Sequence, residues 1–589
     1  MSPLGGELTK PAVIHDLVST ALGEEAADLV VKGVRPVNVY LEKVEPPTCL
    51  AVRHGRIAAL GPLKKAWIGP HTQVVEAGES YLLPGLIDAH THLDSIFQLG
   101  AFTPYALAHG NTCAVTETAM MAGAWGKAGV DLFLKEAARQ KMRLFFLAPP
   151  LTPPLPELET SADFSAKEFE ELLTSPECLG IGETYWTAVT DHDPRVGRFF
   201  SLAQNLNKTQ EGHAAGAKGD RLVAYAAAGV TSCHEAITGP EALERLRLGI
   251  AVQVREGFVR KEMDEVVPSL RDLPDTRQVM LVTDLAPLDG LAENGAMNPL
   301  LQKAVEMGVN PARAVAWCSL NPARYFGLRR LGGLAPGNWA DFWLAGDLEK
   351  FKAQKVYLAG ECVAENGIPL DPDTRVDYPE SARRTMQCKR PEAADFSIKA
   401  QGPEVRARVS VIVSSTITKE AVHELCVENG LVKPDPKRDI LKMGVFNRHV
   451  RDAAPALGFV QGWGIKSGAL ATTLLWDANN LLVLGASDRE MALAAGRAHE
   501  LGGGVVVAKG AEILAEHAMP IAGIISDRPL SRIVLEQKAC EQALRSLGCG
   551  LIDPLLTVQT LSFTGLPFIR LTDKGLVDIK TGTRLEVLL

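Results

Sequence analysis

Apolar positions follow two different rhythms along the first half of the chain. Between residues 28 and 83, the runs ADLVVKGVRPVNVYLE, TCLAVRHGRIAAL and TQVVEAGES have strand-like spacing and are separated by turn signals at His54-Gly55 and Gly61-Pro62. The stretch ahead of them, residues 1–27, reads as a helical segment. From residue 84 the rhythm changes. Seven short apolar runs (LPGLIDAHTH, TCAVTET, RLFFLAPP, LGIGET, GVTSCHEA, IAVQVREG and VMLVTD) alternate with amphipathic, helix-length stretches such as VDLFLKEAARQ, AKEFEELLTS, GDRLVAYAAA, GPEALERLRLG and NPLLQKAVEMG. Seven or eight repeated strand–helix units predict a parallel (β/α)8 barrel over residues 84–330, with an open doubly wound sheet as the competing topology.

Strand-like runs return over residues 331–370, in LGGLAPGNWADFWLAG and VYLAGECVAENG, where Gly337 suits a tight turn. They are expected to join residues 28–83 in a composite β-sandwich that the barrel interrupts. Residues 371–399 are rich in proline and charge and read as a linker. Residues 400–589 alternate strands (RVSVIVSS, NLLVLGA, GGVVVAKG) with the helical REMALAAGRAHELG, which predicts an additional C-terminal α+β domain. The fold class is therefore α/β, with several domains, as a chain of 589 residues requires.

Composition narrows the function. A formal net charge of −9 disfavours a nucleic-acid partner, which selects for basic faces. The ten cysteines include no CxxC pair, and Cys113, Cys178, Cys233 and Cys318 sit singly in apolar or mixed stretches, as reduced thiols do. The opening MSPLGGELTKPAVIHDL lacks the charged and apolar regions of a signal peptide, and no apolar run reaches the ~20 residues that span a bilayer. A cytoplasmic protein without a membrane partner is expected.

The strongest chemical signal is Asp88-Ala89-His90-Thr91-His92, at the end of the first apolar run of the barrel region. On a strand, residues i and i+2 face the same side, so both imidazoles address one point at the end where barrel enzymes keep their chemistry. Taken alone, the pair could be ordinary turn histidines. Further ligand types follow along the chain: Glu183 ends LGIGE, His213 stands in GHAAG, His234 in TSCHE and Asp284 in MLVTD. Either carboxylate could instead cap a helix, and His213 could be a loop histidine. One ligand type per α/β unit is harder to obtain by accident. Four imidazoles and two carboxylates suit one or two divalent ions such as Zn, Mn or Fe.

These residues carry a resemblance to the amidohydrolase superfamily and, within it, to the adenine deaminase family of bacteria and archaea. PGLIDAHTHLDS resembles the first-strand metal motif (His90, His92), and LGIGET the segment whose glutamate bridges the metals (Glu183). EGHAAGAKGDRLVAYAAAGVTSCHEA resembles the segment supplying His213, His234 and Glu235. LRLGIAVQVREG carries Arg255 and Glu256, VTDL carries Asp284, and DILKMGVFNRH, LGFVQGWGIKSGALATT and MPIAGIISD resemble the family's extra C-terminal domain. Four segments depart from the family pattern: TETAMMAGA around Glu117, Thr184-Tyr185-Trp186, TDLAPLDG after Asp284, and Trp476-Asp477-Ala478-Asn479-Asn480.

The resemblance implies a hydrolase of carbon–nitrogen bonds in cyclic amidines. It would hold two divalent ions, Mn or Fe first and Zn next, on His90, His92, Glu183, His213, His234 and Asp284, and convert adenine to hypoxanthine and ammonia through a metal-bound hydroxide. Asp284 would carry the proton of the nucleophile. Glu235 would protonate a ring nitrogen or else orient an imidazole. Arg255 and Glu256 would contact substrate or form a structural ion pair. Purine salvage or adenine catabolism, a small purine or related heterocycle as partner, and a homo-oligomer, dimer or higher, follow from the same resemblance. One alternative keeps the chemistry but changes the substrate to another cyclic amidine, amide or aminated heterocycle. A second is a non-catalytic metal-binding homologue.

Overall fold

The computed structural model describes residues 10–589. The part of the expected N-terminal helical segment that falls on residues 1–9 lies outside the described residues. Beyond it, helix Pro11–Leu22 begins with proline at its first turn and ends at Gly23, whose φ of 80° is the left-handed stop that glycine adopts without penalty.

Strand Leu29–Asn38 is long enough to serve two sheet halves. Its first half pairs antiparallel with Thr48–Arg53 and parallel with Gln73–Glu76. A register shift at Gly33 turns it, and its second half runs parallel to Tyr81–Pro84. Tyr81–Pro84 then pairs antiparallel with Phe342–Ala345, which leads on to Ala353–Leu358 and Glu361–Glu365. Chain from both sides of the barrel thus builds one composite sheet around Val31, Leu50, Val52, Phe342 and Tyr357.

Eight parallel strands form the barrel: β1 (Leu86–Thr91), β2 (Asn111–Thr116), β3 (Arg143–Ala148), β4 (Cys178–Tyr185), β5 (Thr209–His213), β6 (Ser232–Cys233), β7 (Ala251–Arg255) and β8 (Val279–Val282). Each pairs with its sequence neighbour. The ring nears closure where the Asp284 N–H donates to the His90 carbonyl at 3.0 Å. Ile87, Val115, Phe145, Leu147, Met280 and Val282 fill the interior, and Ala323, Phe326 and Leu328 plug the end where β1 begins. That leaves the opposite end, at the strand C-termini, for chemistry.

The C-terminal part is built on a nine-stranded sheet, antiparallel except where Glu404–Ile412 lies beside Ala456–Gln461, with helices Asp488–Glu500 and Leu530–Ser546 packed on it. It is stitched to the barrel. Ile525–Ser526 pairs in parallel with Ile96–Phe97, just after the first histidine pair. Residues 371–399 lie against the molecule rather than hanging between domains. Thr374 N–H donates to the Gly100 carbonyl, the Tyr378 hydroxyl donates to buried Glu136 at 2.6 Å, and Phe396 is fully buried. Among the described residues, no helix is long and apolar enough to cross a membrane.

Candidate metal centre and catalytic pocket

Six side chains from the ends of five barrel strands converge on one point. His90 and His92, two residues apart across the end of β1, direct their Nε2 atoms to within 3.2–3.3 Å of Asp284 Oδ1 and Glu183 Oε1. Glu183 reaches in from β4. Its second oxygen, Oε2, lies 3.0 Å from His213 Nδ1 at the end of β5. His234, just beyond β6, places Nε2 3.2 Å from Glu183 Oε1, and its ring stacks on His90 with centroids 4.1 Å apart. Asp284 follows β8 with a φ of 47°, and Leu285 follows with 81°. Two successive non-glycine residues in the left-handed region are held there by their surroundings. One such constraint is Asp88, which accepts from both the Thr283 N–H and its hydroxyl.

Buried charge dominates this point. Burial opposes a charged imidazole, yet the carboxylates of Asp284 and Glu183 outweigh it and raise His90 to about 10. His213 rises to about 8 against the same penalty, under the charges of Glu235 and Glu183. The imidazoles in turn hold Glu183 and Asp284 well below the usual carboxylate range in spite of burial. Protons and metal cations therefore compete for the same atoms.

Arg255, at the end of β7, faces into the cluster. Its Nη1 donates to Glu235 Oε1 at 2.6 Å and to Asp284 Oδ2 at 3.1 Å, while Nε and Nη2 form a fork on Glu262. A guanidinium spread over three carboxylates anchors acids and has little left for a ligand. Glu235 is lowered by the Arg255 charge despite its burial, so it stands as a carboxylate. Glu256 is not brought to the cluster. Strand alternation turns it away, to an ion pair with Lys303 at 3.0 Å.

Residues that the sequence reading did not assign complete the site. Glu117, just past β2, is buried and accepts the Glu183 N–H through Oε1 at 3.1 Å. Burial first, and then the Glu183 charge, push it up to about 8. Its partner strand needs glycine there, because a Cβ on Gly182 would sit 2.1 Å from Glu117 Oε2. The rest come from the C-terminal domain. Asp477 Oδ2 accepts the Tyr185 hydroxyl at 2.6 Å, Trp476 Nε1 donates to Gln559 Oε1 at 3.2 Å, and Phe563 meets Trp476 edge-to-face. With Met120, Val259, Leu285 and the cluster itself they enclose a cavity of about 60 Å³. Glu117 obeyed the rule of one ligand type per strand end. The C-terminal residues gave no such signal.

The cluster fits a divalent metal. His90 Nδ1 and Nε2, His213 Nε2 and His234 Nδ1 are buried without a hydrogen-bond partner, a condition that a cation relieves for the nitrogens aimed at the carboxylates. His90, Glu183, His234 and Asp284 present ligand atoms within 4.8 Å of one another, and His213, His234 and Glu235 form a second such group. Mixed imidazole and carboxylate donors suit Zn, Mn or Fe.

Comparison with known proteins agrees with this geometry. Residues 81–363 match the amidohydrolase family, and residues 415–583 match the adenine deaminase C-terminal domain. An adenine deaminase of Moorella thermoacetica is 34% identical over 577 residues, covering 96% of each chain. Those of Desulfatibacillum aliphaticivorans and Carboxydothermus hydrogenoformans are 33% and 32% identical, the first over 96% of this chain and 97% of its own, the second over 97% and 98%. The chain belongs to the adenine deaminase family. Membership makes it an amidohydrolase and implies use of a divalent metal, for which the strand-end cluster is the candidate site. Every barrel residue of the site falls in the first matched segment. The adenine deaminase C-terminal domain supplies Trp476, Asp477, Gln559 and Phe563, so the segment that marks the family also roofs its pocket.

Proposed function

We propose that this protein deaminates adenine hydrolytically to hypoxanthine and ammonia. The convergence of His90, His92, Glu183, His213, His234 and Asp284 on one enclosed point carries the reading. The same residues would hold two divalent ions, with Glu183 placed between the histidine groups. Bound there, such ions supply the Lewis acidity that makes water nucleophilic near neutral pH.

The chain's own groups manage the protons. Adding water across C6 and expelling ammonia puts one proton on N1 and one on the departing amine. Asp284 faces the cluster through Oδ1, and Arg255 fixes its Oδ2, so it is aimed to take a proton and return it to the amine. Glu235 is ionised and carries no proton of its own, so anything it delivers to N1 comes first from the attacking water. Arg255 positions both acids and makes no call on substrate. The small cavity favours a single base over a polymer.

The test is ammonia and hypoxanthine release from adenine by the full chain reconstituted with Mn, Fe or Zn, beside His90→Ala. Turnover in the first and none in the second is expected. Stoichiometric metal binding with no turnover of adenine would reject the substrate and leave another aminated heterocycle to find.

A further inference from the structure

Most barrel residues of the pocket are charged or imidazole, whereas the C-terminal surface opposite them sets two aromatic rings and an amide beside a single acid, Asp477. That second surface comes from the loop carrying Trp476 and Asp477 and from the end of helix Pro554–Thr560 with the turn after it. Trp476 and Phe563 meet with centroids 5.2 Å apart and planes at 77°, so together they offer a guest one ring face and one ring edge. Phe563 also touches Tyr185, which ties the pair to the end of β4. Gln559 stands beside them, and its Oε1 is committed to the Trp476 indole N–H. That bond fixes the amide. Gln559 lines the cavity and is 5% exposed, and its NH2 makes no hydrogen bond among the described residues. An amide donor held still in a nearly closed pocket is a reading group, because leaving it unpaired against a bound ligand costs more than pairing it gains.

We infer that Trp476, Phe563 and Gln559 form the substrate-selecting wall of the pocket, taking a flat nitrogen heterocycle against the indole and reading a ring-nitrogen acceptor with the Gln559 NH2. The inference deepens the deaminase reading and rests on it for the choice of adenine as probe. It also explains how the C-terminal domain takes part: it lays a ring face and an amide donor over the cluster and so defines which ring lies beneath them. A flat ring with an unprotonated nitrogen at its edge matches the indole face and the amide donor together, whereas an aliphatic amide or a peptide offers no ring to lie on the indole.

The experiment is binding of adenine, read by stopped-flow tryptophan fluorescence before turnover, and of deaza-adenines each lacking one ring nitrogen, to the full metal-loaded chain. Trp476→Ala is expected to weaken adenine binding by about 10- to 100-fold, the range of aromatic–base stacking. Gln559→Ala is expected to weaken it about tenfold. Metal content should stay unchanged in both. One deaza-adenine should bind wild type as weakly as adenine binds Gln559→Ala, and that analogue should be indifferent to the substitution. Gln559→Glu keeps the acceptor for Trp476 and deletes the donor, so it serves if the alanine variant does not fold. Equal affinities across all these variants, or an equal loss for every analogue, would overturn the wall while leaving adenine turnover intact. A wild type that binds flat heterocycles through Trp476 yet never deaminates adenine would instead reject the proposed reaction and keep the wall. Binding of no heterocycle at all would reject both.

Discussion

The floor and the wall of the pocket are made in opposite ways. The floor gathers His90, His92, Glu183, His213, His234 and Asp284 from strand ends within one barrel, where Asp284 and Glu183 raise His90 and the imidazoles in turn lower both carboxyls. The wall gathers Trp476, Gln559 and Phe563 from a separate domain, and these three are neutral, whereas Asp477 beside them is a carboxyl that burial raises to about 7 and that feels the floor charges of Glu183, His92 and His213. Even their support differs. Arg255 grips the floor through carboxylates. Buried Arg448 and Arg570 grip the wall loops through backbone carbonyls, of Asn479 in one case and of Thr560 and Pro567 in the other. A floor coupled in this way resists piecemeal change, whereas the three neutral groups of the wall can be rebuilt without disturbing the chemistry. Two of the four segments that depart from the family pattern lie at the wall or face it, Thr184-Trp186, with Tyr185 bonded to Asp477, and Trp476–Asn480; the other two, around Glu117 and after Asp284, border the floor.

The contrast can be broken most severely at Asp284. Asp284→Asn should cut kcat by about 10³-fold, within the span of general acid–base effects, and leave KM for adenine within a few-fold, as steady-state assays would read. Glu117→Ala comes next. Removing the carboxylate that holds the Glu183 N–H should lower metal affinity or activity by about 10- to 100-fold, with Glu117→Gln closer to wild type, as competitive chelator titration would show. Arg570→Met should cost about 2 kcal/mol in chemical denaturation, because several wall carbonyls lose their donor, and should raise KM more than it lowers kcat.

The smallest effect is one of pH. Glu159 is buried behind the wall, accepts the Thr564 hydroxyl and the Leu155 N–H, and lies near Asp477 and Asp573. Burial raises it to about 8. A carboxyl raised on folding stabilises fully below its unfolded value and loses that contribution as pH climbs through the folded one. Glu159→Gln should therefore match wild type near pH 4.5 and exceed it by about 2 °C in Tm above pH 8, a difference that thermal melts across this range would measure.

How much the sequence disclosed follows the same division. The floor was legible because barrel strands end in short apolar runs followed at once by a ligand, as in LGIGE and MLVTD. β5 was not counted among the strands. Thr209–His213 reads TQEGH, with no apolar run, because its buried Glu211 is satisfied by Ser232, Gln253 and Tyr325 rather than by hydrophobic neighbours. β6 pairs over only two residues, too short for any period to show. Glu117 passed as a landmark in an altered motif, since its role depends on reaching the Glu183 backbone 66 residues later. The wall was illegible for a stronger reason. Trp476, on an irregular segment, and Gln559, near the end of helix Pro554–Thr560, lie 83 residues apart, and only the docking of one domain on another, through Ile525–Ser526 against Ile96–Phe97, brings them over the barrel.

One comparison tests the division directly: kcat and KM for adenine measured side by side in Asp284→Asn and Gln559→Glu, with metal content verified in each. The account predicts a loss confined to kcat in the first and to KM in the second. A wall variant that abolishes kcat with its metal intact, or a floor variant that changes KM alone, would contradict it.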